Sequence, residues 1–169
     1  MLLTIAPGAT LANQKPFETK GRKMQLKFEK PGKRKKIRIT TPDKWFSKYI
    51  RIRDIVSGEH CMCVTCGKAI HWRYEAQCGH FATRGHPMTR FNKRNCNAQC
   101  VACNNYQKGH QAKHGFAIDR MYGHGTAQEL IDLSEIRGQK EFSKLALKDL
   151  AREFRLAAQL LAKQKGIIL

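Results

Sequence analysis

The sequence predicts an α+β fold in which a small polar centre of short strands is held by a cysteine cluster and flanked by helices. Three observations predict it. Two Cys-x-x-Cys pairs, Cys63 with Cys66 and Cys100 with Cys103, bracket residues 67–99. The centre, about 60 to 115, is dense in Cys, His, Asn and Gly and short of the apolar mass that a domain needs to hold its shape unaided. The residues on both sides carry apolar stripes at helical spacing.

Taken in order, residues 1–40 read as a basic arm. From Lys15 to Arg38 eleven basic residues stand against Glu18 and Glu29 alone, interrupted by Pro16, Gly21, Pro31 and Gly32. Such a segment buries too little to fold by itself. Thr41-Pro42-Asp43 reads as a helix start, with Thr41 as N-cap and Pro42 at the first helical position. Trp45, Tyr49, Ile52 and Val56 follow as a core stripe, and Ser57-Gly58 is the expected stop. Residues 41–125 then form the central domain. It holds a short strand bearing His80, a Gly- and Pro-containing loop, a second strand from Asn95 and a helix beginning near the second cysteine pair. In the helical tail, 126–169, Thr126 and Glu129 have the spacing of a capping box, with Gly138 closing that segment. A longer helix is expected from about Lys140 to Lys165. Its Leu147, Leu150, Phe154, Ala157 and Leu161 alternate steps of three and four, the seam of a short coiled coil. This seam fits a homodimer through the C-terminal helix and packing on its own domain equally well.

Lys and Arg number 32 against 13 Asp and Glu, a formal net charge of +19 in 169 residues. Charge of that size opposes compaction by self-repulsion and points to a polyanionic partner, above all nucleic acid. No run approaches the ~18 apolar residues of a membrane span, and Met1 to Pro7 lacks the basic start of a signal peptide. A cytoplasmic protein with no membrane partner is the expectation. Lys33, Arg34, Lys35, Lys36 and Arg38 in the arm, and Arg84, Arg90, Lys93, Arg94 and Lys108 in the centre, are the expected phosphate contacts.

In a reducing compartment the paired cysteines read as metal ligands rather than disulfides. Cys63-Val-Thr-Cys66-Gly and Cys100-Val-Ala-Cys103 supply four thiolates, which saturate a tetrahedral Zn2+ and leave no open position, so the expected zinc is structural. Cys61 competes with Cys63 for the first knuckle, and the symmetry of two Cys-x-x-Cys pairs favours Cys63. A second zinc on Cys61, Cys78, Cys96 and a histidine is the weaker alternative to buried free thiols. His110 and His114 are four apart, a spacing able to grip a metal, but Gly109 and Gly115 favour a solvated, frayed helix end.

The run from Glu75 to Lys108 resembles the ββα-metal (His-Asn-His) nuclease motif. Asn95 lies five residues before Cys100, and Asn104 directly follows Cys103. The resemblance implies that His80 is the general base, that Asn95 orients the imidazole or the loop, and that Asn104 offers an oxygen to a catalytic Mg2+ or Mn2+. Phosphodiester hydrolysis needs these parts: a base for water and a hard cation for the phosphoryl charge. The match is closer still to one family. Cys63-Val-Thr-Cys-Gly, Cys78-Gly-His-Phe, Arg90-Phe-Asn, Gln99-Cys-Val-Ala-Cys-Asn, Lys108-Gly109 and Tyr122-Gly123 resemble the NinG (Rap) family of lambda-like phage recombination nucleases, over about Thr41 to Leu161. That implies a structure-specific endonuclease for branched DNA such as Holliday junctions and D-loops, with no small-molecule substrate. One departure stands out. Gly79 occupies the position where many such nucleases carry an acidic ligand, which leaves Glu75, Gln77, His86 and His110 as candidates for the second protein ligand. The competing expectations are a non-catalytic zinc module that binds nucleic acid and a less selective nicking nuclease.

Overall fold

The computed structural model describes residues 37–169. Helix α1 spans Thr41–Arg53, and its N-cap is Thr40 rather than Thr41. Asp43 at the third helical position bonds the Thr40 amide at 2.7 Å and its hydroxyl at 2.6 Å, so the capping box starts one residue earlier than the Thr-Pro pair implies. The helix also stops earlier. Ile55–Ser57 is strand β1, Gly58 at φ +52° makes the tight turn, and His60–Met62 (β2) and Ala69–His71 (β3) complete a three-stranded antiparallel meander. Val56 therefore points into solvent on an edge strand, and Phe46 and Ile50 fill the core in its place.

Strands β4 (Ala76–His80) and β5 (Cys96–Cys100) form a separate antiparallel pair with the register Gln77↔Gln99, Gly79↔Asn97 and His80↔Cys96. Between them lie a short helix, α2 (Pro87–Arg90), and a 3-10 turn over Lys93–Asn95. The second knuckle does not open directly into a regular helix. Ala102–Tyr106 is a wide π-turn, and Lys108, Gly109 and His110 then run through left-handed φ values of 50, 77 and 48° before α3 (Gln111–Tyr122) begins. Only glycine adopts that conformation without cost, so Lys108 and His110 are strained.

Helix α4 is Thr126–Glu135. Its expected capping box is absent: Thr126 donates to the Tyr122 carbonyl, Glu129 pairs with Arg94, and the Asp119 carboxylate takes the Ala127 amide at 2.8 Å. Helix α5 spans Lys144–Gln164, capped by Ser143. Its heptad-like seam packs on α1 of the same chain. Phe154 is 2% exposed with its ring 4.8 Å from Phe46, and Leu150 and Leu161 join the same clusters. A dimer through this seam would have to open that core, so the seam is not an available contact surface.

The β4–β5 hairpin is thus covered on both faces, and strict strand alternation sorts its side chains between them. Cys78, His80, Cys96 and Ala98 face α1 and α5, while Gln77, Gly79, Asn97 and Gln99 face the π-turn and α3. Arg53 anchors the arrangement from α1, donating to the Lys93 and Cys96 carbonyls at 2.7 and 2.8 Å, and Asp54 accepts the Ala98 amide at 2.7 Å.

Candidate metal centre and active face

The four cysteines converge. The sulfurs of Cys63, Cys66, Cys100 and Cys103 all lie within 4.8 Å of one another, three of them on buried residues. The first knuckle is built by local chemistry: Gly67 at φ +73° lets its amide reach the Cys63 carbonyl, and the Cys63 amide bonds Lys68 O at 2.8 Å. Val64 N to Ala98 O ties that knuckle to β5, so the cluster locks the meander to the hairpin. Burial raises the Cys63 thiol, but the amides of Cys100, Cys66 and Thr65 outweigh it and bring it down to about 7. Burial and the adjacent sulfurs push Cys103 the other way. Four crowded sulfurs of which one ionises readily make a donor set suited to a soft-ligand cation such as zinc. Cys61 is outside the cluster. Its thiol donates to Arg51 O at 3.1 Å, and burial lifts it to about 11.

Asn95 is fully buried and acts on the loop, not on the imidazole. Its Oδ1 accepts the Ala82 amide at 2.7 Å, and Nδ2 donates to the carbonyls of Ala82 and Thr89 at 2.9 Å each. One side chain thereby closes both ends of the connection between β4 and β5.

His80 ends β4 on the face turned to α1. Its Nε2 lies 3.1 Å from Arg90 O, which can only accept, so Nε2 carries the proton and Nδ1 the lone pair. Burial, with the Arg84 charge adding, pulls the imidazole down to about 4, against the carbonyls of Arg90 and Cys78 and the Asp43 carboxylate. It is neutral at pH 7. A second potential ligand group, Cys78, His80 and Cys96, lies on this same face with all its ligand atoms within 4.8 Å, and it includes neither Cys61 nor a fourth residue.

Asn104 lies on the opposite face. Its Nδ2 donates to Gln77 Oε1 at 2.6 Å. Of the four candidates for a second metal ligand, Gln77 is the one in contact with Asn104. The Glu75 carboxylate instead caps the turn at His71 N, 2.7 Å away. The structure does not bring His80, Asn95 and Asn104 together as a trio; it pairs Asn104 with Gln77 and leaves His80 across the sheet.

The imidazole on the Asn104 face is His114. It is fully buried on α3, not frayed, with Nε2 3.1 Å from Asn97 Oδ1, Nδ1 without a partner, and burial drawing it down to about 4. Sequence spacing missed it because Gly115, which suggests fraying, is there to let α3 approach Phe81: a Cβ at 115 would meet that ring at 3.2 Å.

The expected phosphate contacts divide. Lys33, Arg34, Lys35 and Lys36 lie outside the described residues, and Arg38 is exposed. Arg90 is buried, not available to phosphate: Nε and Nη2 grip Asp43 at 3.0 and 2.7 Å, and Nη2 also reaches Arg38 O. A guanidinium this deep needs a paired carboxylate, and Asp43 answers it, held below its ordinary value by Arg90 and Thr40 against the upward push of burial. Arg84 is half-buried 3.8 Å from the same carboxylate. Arg94 forms a bidentate pair with Glu129 at 2.9 Å, Lys93 lies over the Tyr49 ring, and Lys108 is exposed on the strained turn. Sequence reasoning did not single out the cations of α5. Lys144, Lys148, Arg152 and Arg155 line one side of a groove of about 490 Å³, with Trp45 and Pro42 on the other. No helix among the described residues is long and apolar enough to cross a membrane.

Comparison with known proteins gives a consistent family. The family model described as "NinG: Bacteriophage Lambda NinG protein" matches residues 6–165. The "Protein ninG" of Escherichia phage lambda is 30% identical over 83 residues, a stretch covering 48% of this chain and 38% of that protein. The chain therefore aligns with well under half of the length of this curated relative. No solved structure matches the chain at a significant level.

Proposed function

Since the chain belongs to the NinG family, we propose that it is a metal-dependent endodeoxyribonuclease that hydrolyses phosphodiester bonds in branched recombination intermediates, Holliday junctions and D-loops among them. In this reading β4, β5 and α3 are a ββα-metal motif clamped by structural Zn2+ on Cys63, Cys66, Cys100 and Cys103.

The observation that carries the reading is Asn95. A buried amide with three bonds to the intervening loop fixes the end of β4, where His80 stands, relative to β5 and the knuckle that leads to Asn104. Positioning of that kind is what phosphoryl transfer demands, since its catalysis is mostly orientation and charge stabilisation. His80 is held neutral, the state a base needs, and the proton fixed on Nε2 leaves Nδ1 to accept one. Asn104 and Gln77 offer amide oxygens to Mg2+ or Mn2+. That cation, when bound, stabilises the phosphoryl charge and the leaving oxygen, while phosphates and waters complete a shell that takes few protein ligands. Lys93, Lys108 and the cations of α5 supply backbone contacts.

A specific observation favours a second reading, a non-catalytic zinc module that binds nucleic acid: His80 and Asn104 occupy opposite faces of the hairpin. The two are separated by incubating the zinc-loaded protein with a synthetic four-way junction and with its linear duplex, in Mg2+ and in EDTA. The nuclease reading expects nicks in the junction, in Mg2+ only. Tight junction binding with every strand intact in Mg2+ and in Mn2+ is the result for the binding module.

A further inference from the structure

Gln99 is fully buried in the middle of β5 and its amide orientation is fixed. Nε2 donates to Gly109 O at 3.0 Å and to Thr65 Oγ1 at 2.5 Å, and since a carbonyl can only accept, Oε1 must lie on the other side. There Oε1 has no hydrogen-bond partner. A buried carbonyl oxygen left unpaired costs about 1–3 kcal/mol and calls for an explanation. Its location supplies one. A Cβ built on Gly79 would land inside the Gln99 side chain, against Oε1 itself, so glycine at 79 is the residue that leaves room for this oxygen. Gln77 is the register partner of Gln99, side by side with it on the same face, and Gln77 in turn touches Asn104.

We infer that Gln77, Gln99 and Asn104 form a cation site of neutral amide oxygens, in which Gln99 Oε1 takes the place that an acidic side chain at position 79 would hold. The inference deepens the nuclease reading, on which the identity of the cation as Mg2+ or Mn2+ rests. The donor set fits such a hard ion, which takes oxygen ligands. It also sets the character of the site. With no protein charge to offset dehydration the cation is held weakly in the free protein, and since no ligand titrates near neutrality the binding is flat with pH across 6–8.

The test is a titration of the zinc-loaded full chain with Mn2+ alone, without DNA, read by the loss of free-ion electron paramagnetic resonance signal. Zinc stays on the thiolates, since soft sulfur ligands select it over Mn2+. The wild type is expected to bind one Mn2+ weakly. Gln77→Glu, at a partly exposed position that tolerates a charge, is expected to tighten binding about tenfold by adding one ligand charge. Gly79→Ala drives its Cβ into Gln99 and is expected to weaken binding by about tenfold or more. Wild-type protein that takes up no Mn2+, or a Gln77→Glu protein that binds it no better, overturns the site even if Gly79→Ala fails to fold. Cleavage of a junction is scored separately. Variant-dependent Mn2+ uptake without cutting leaves the cation site standing and removes the nuclease, whereas cutting by a protein whose Mn2+ uptake ignores these variants removes the site and leaves the nuclease.

Discussion

The two faces of the β4–β5 hairpin differ in kind. Toward α1 and α5 it presents Cys78, Cys96 and His80 to Phe46 and Phe154, a dry surface in which the one polar group has its proton placed by a carbonyl. Toward α3 it presents Gln77, Asn97 and Gln99 to Asn104 and His114, a row of amides and an imidazole with two buried atoms unpaired. A face spent on packing satisfies its polar atoms internally, so the face that leaves them unpaired is the one built to receive something. Both faces hang from the same cysteine cluster, which makes their contributions separable by mutation.

The largest expected effect removes both faces at once. Cys100→Ser opens the cluster at the end of β5, and the variant should lose its zinc and its cooperative unfolding transition, measured by metal analysis and circular dichroism. Full zinc content with unchanged melting would contradict the clamp. Next, Phe154→Ala empties the dry face and should cost about 3–5 kcal/mol in denaturant unfolding, whereas Leu160→Ala on the exposed side of α5 should stay within ~0.5 kcal/mol. If the seam were instead a dimer interface, both the Phe154 effect and the molecular mass by light scattering would depend on protein concentration.

Acid sharpens the comparison, because each face buries one neutral histidine. His80 and His114 both fall from 6.5 to about 4 on folding, so the unfolded chain binds their protons first. Stability is therefore full above pH 6.5 and drops by about 3 kcal/mol per histidine as pH falls to 4. His114→Gln should remove about half of that slope. An unchanged slope in the variant would mean that the α3 face is wet. Asn95→Ala strands buried backbone groups at both ends of the loop, for a loss of about 2–3 kcal/mol in melting experiments and a larger loss in any cleavage activity. At the small end, Arg94→Ala breaks only an exposed pair with Glu129, so its stability should change by less than ~0.5 kcal/mol while its DNA affinity becomes less salt-dependent if that guanidinium also meets phosphate.

Much of this was legible in the sequence, and the residues show why some was not. Cysteine spacing announces the cluster, because metal geometry fixes ligand separation along a chain. The role of Asn95 in holding the loop and the long C-terminal helix were also readable. The distribution of side chains between the hairpin faces was not, since alternation says which residues share a face but not which face α1 and α5 will cover. That is decided by Phe46 and Phe154, more than a hundred residues apart. Arg90 looked like a phosphate contact because its only partner, Asp43, is remote in sequence, and the short strands β1–β3 are too brief to show a period.

The account stands most directly on one measurement: cleavage of a labelled four-way junction in Mg2+ by wild type, His80→Ala and Asn104→Ala proteins matched for zinc content and junction affinity. It predicts that the wild type nicks the junction, that His80→Ala loses cutting at every Mg2+ concentration, and that Asn104→Ala recovers part of it as Mg2+ is raised. Equal cutting by all three proteins, or none by the wild type, would contradict it.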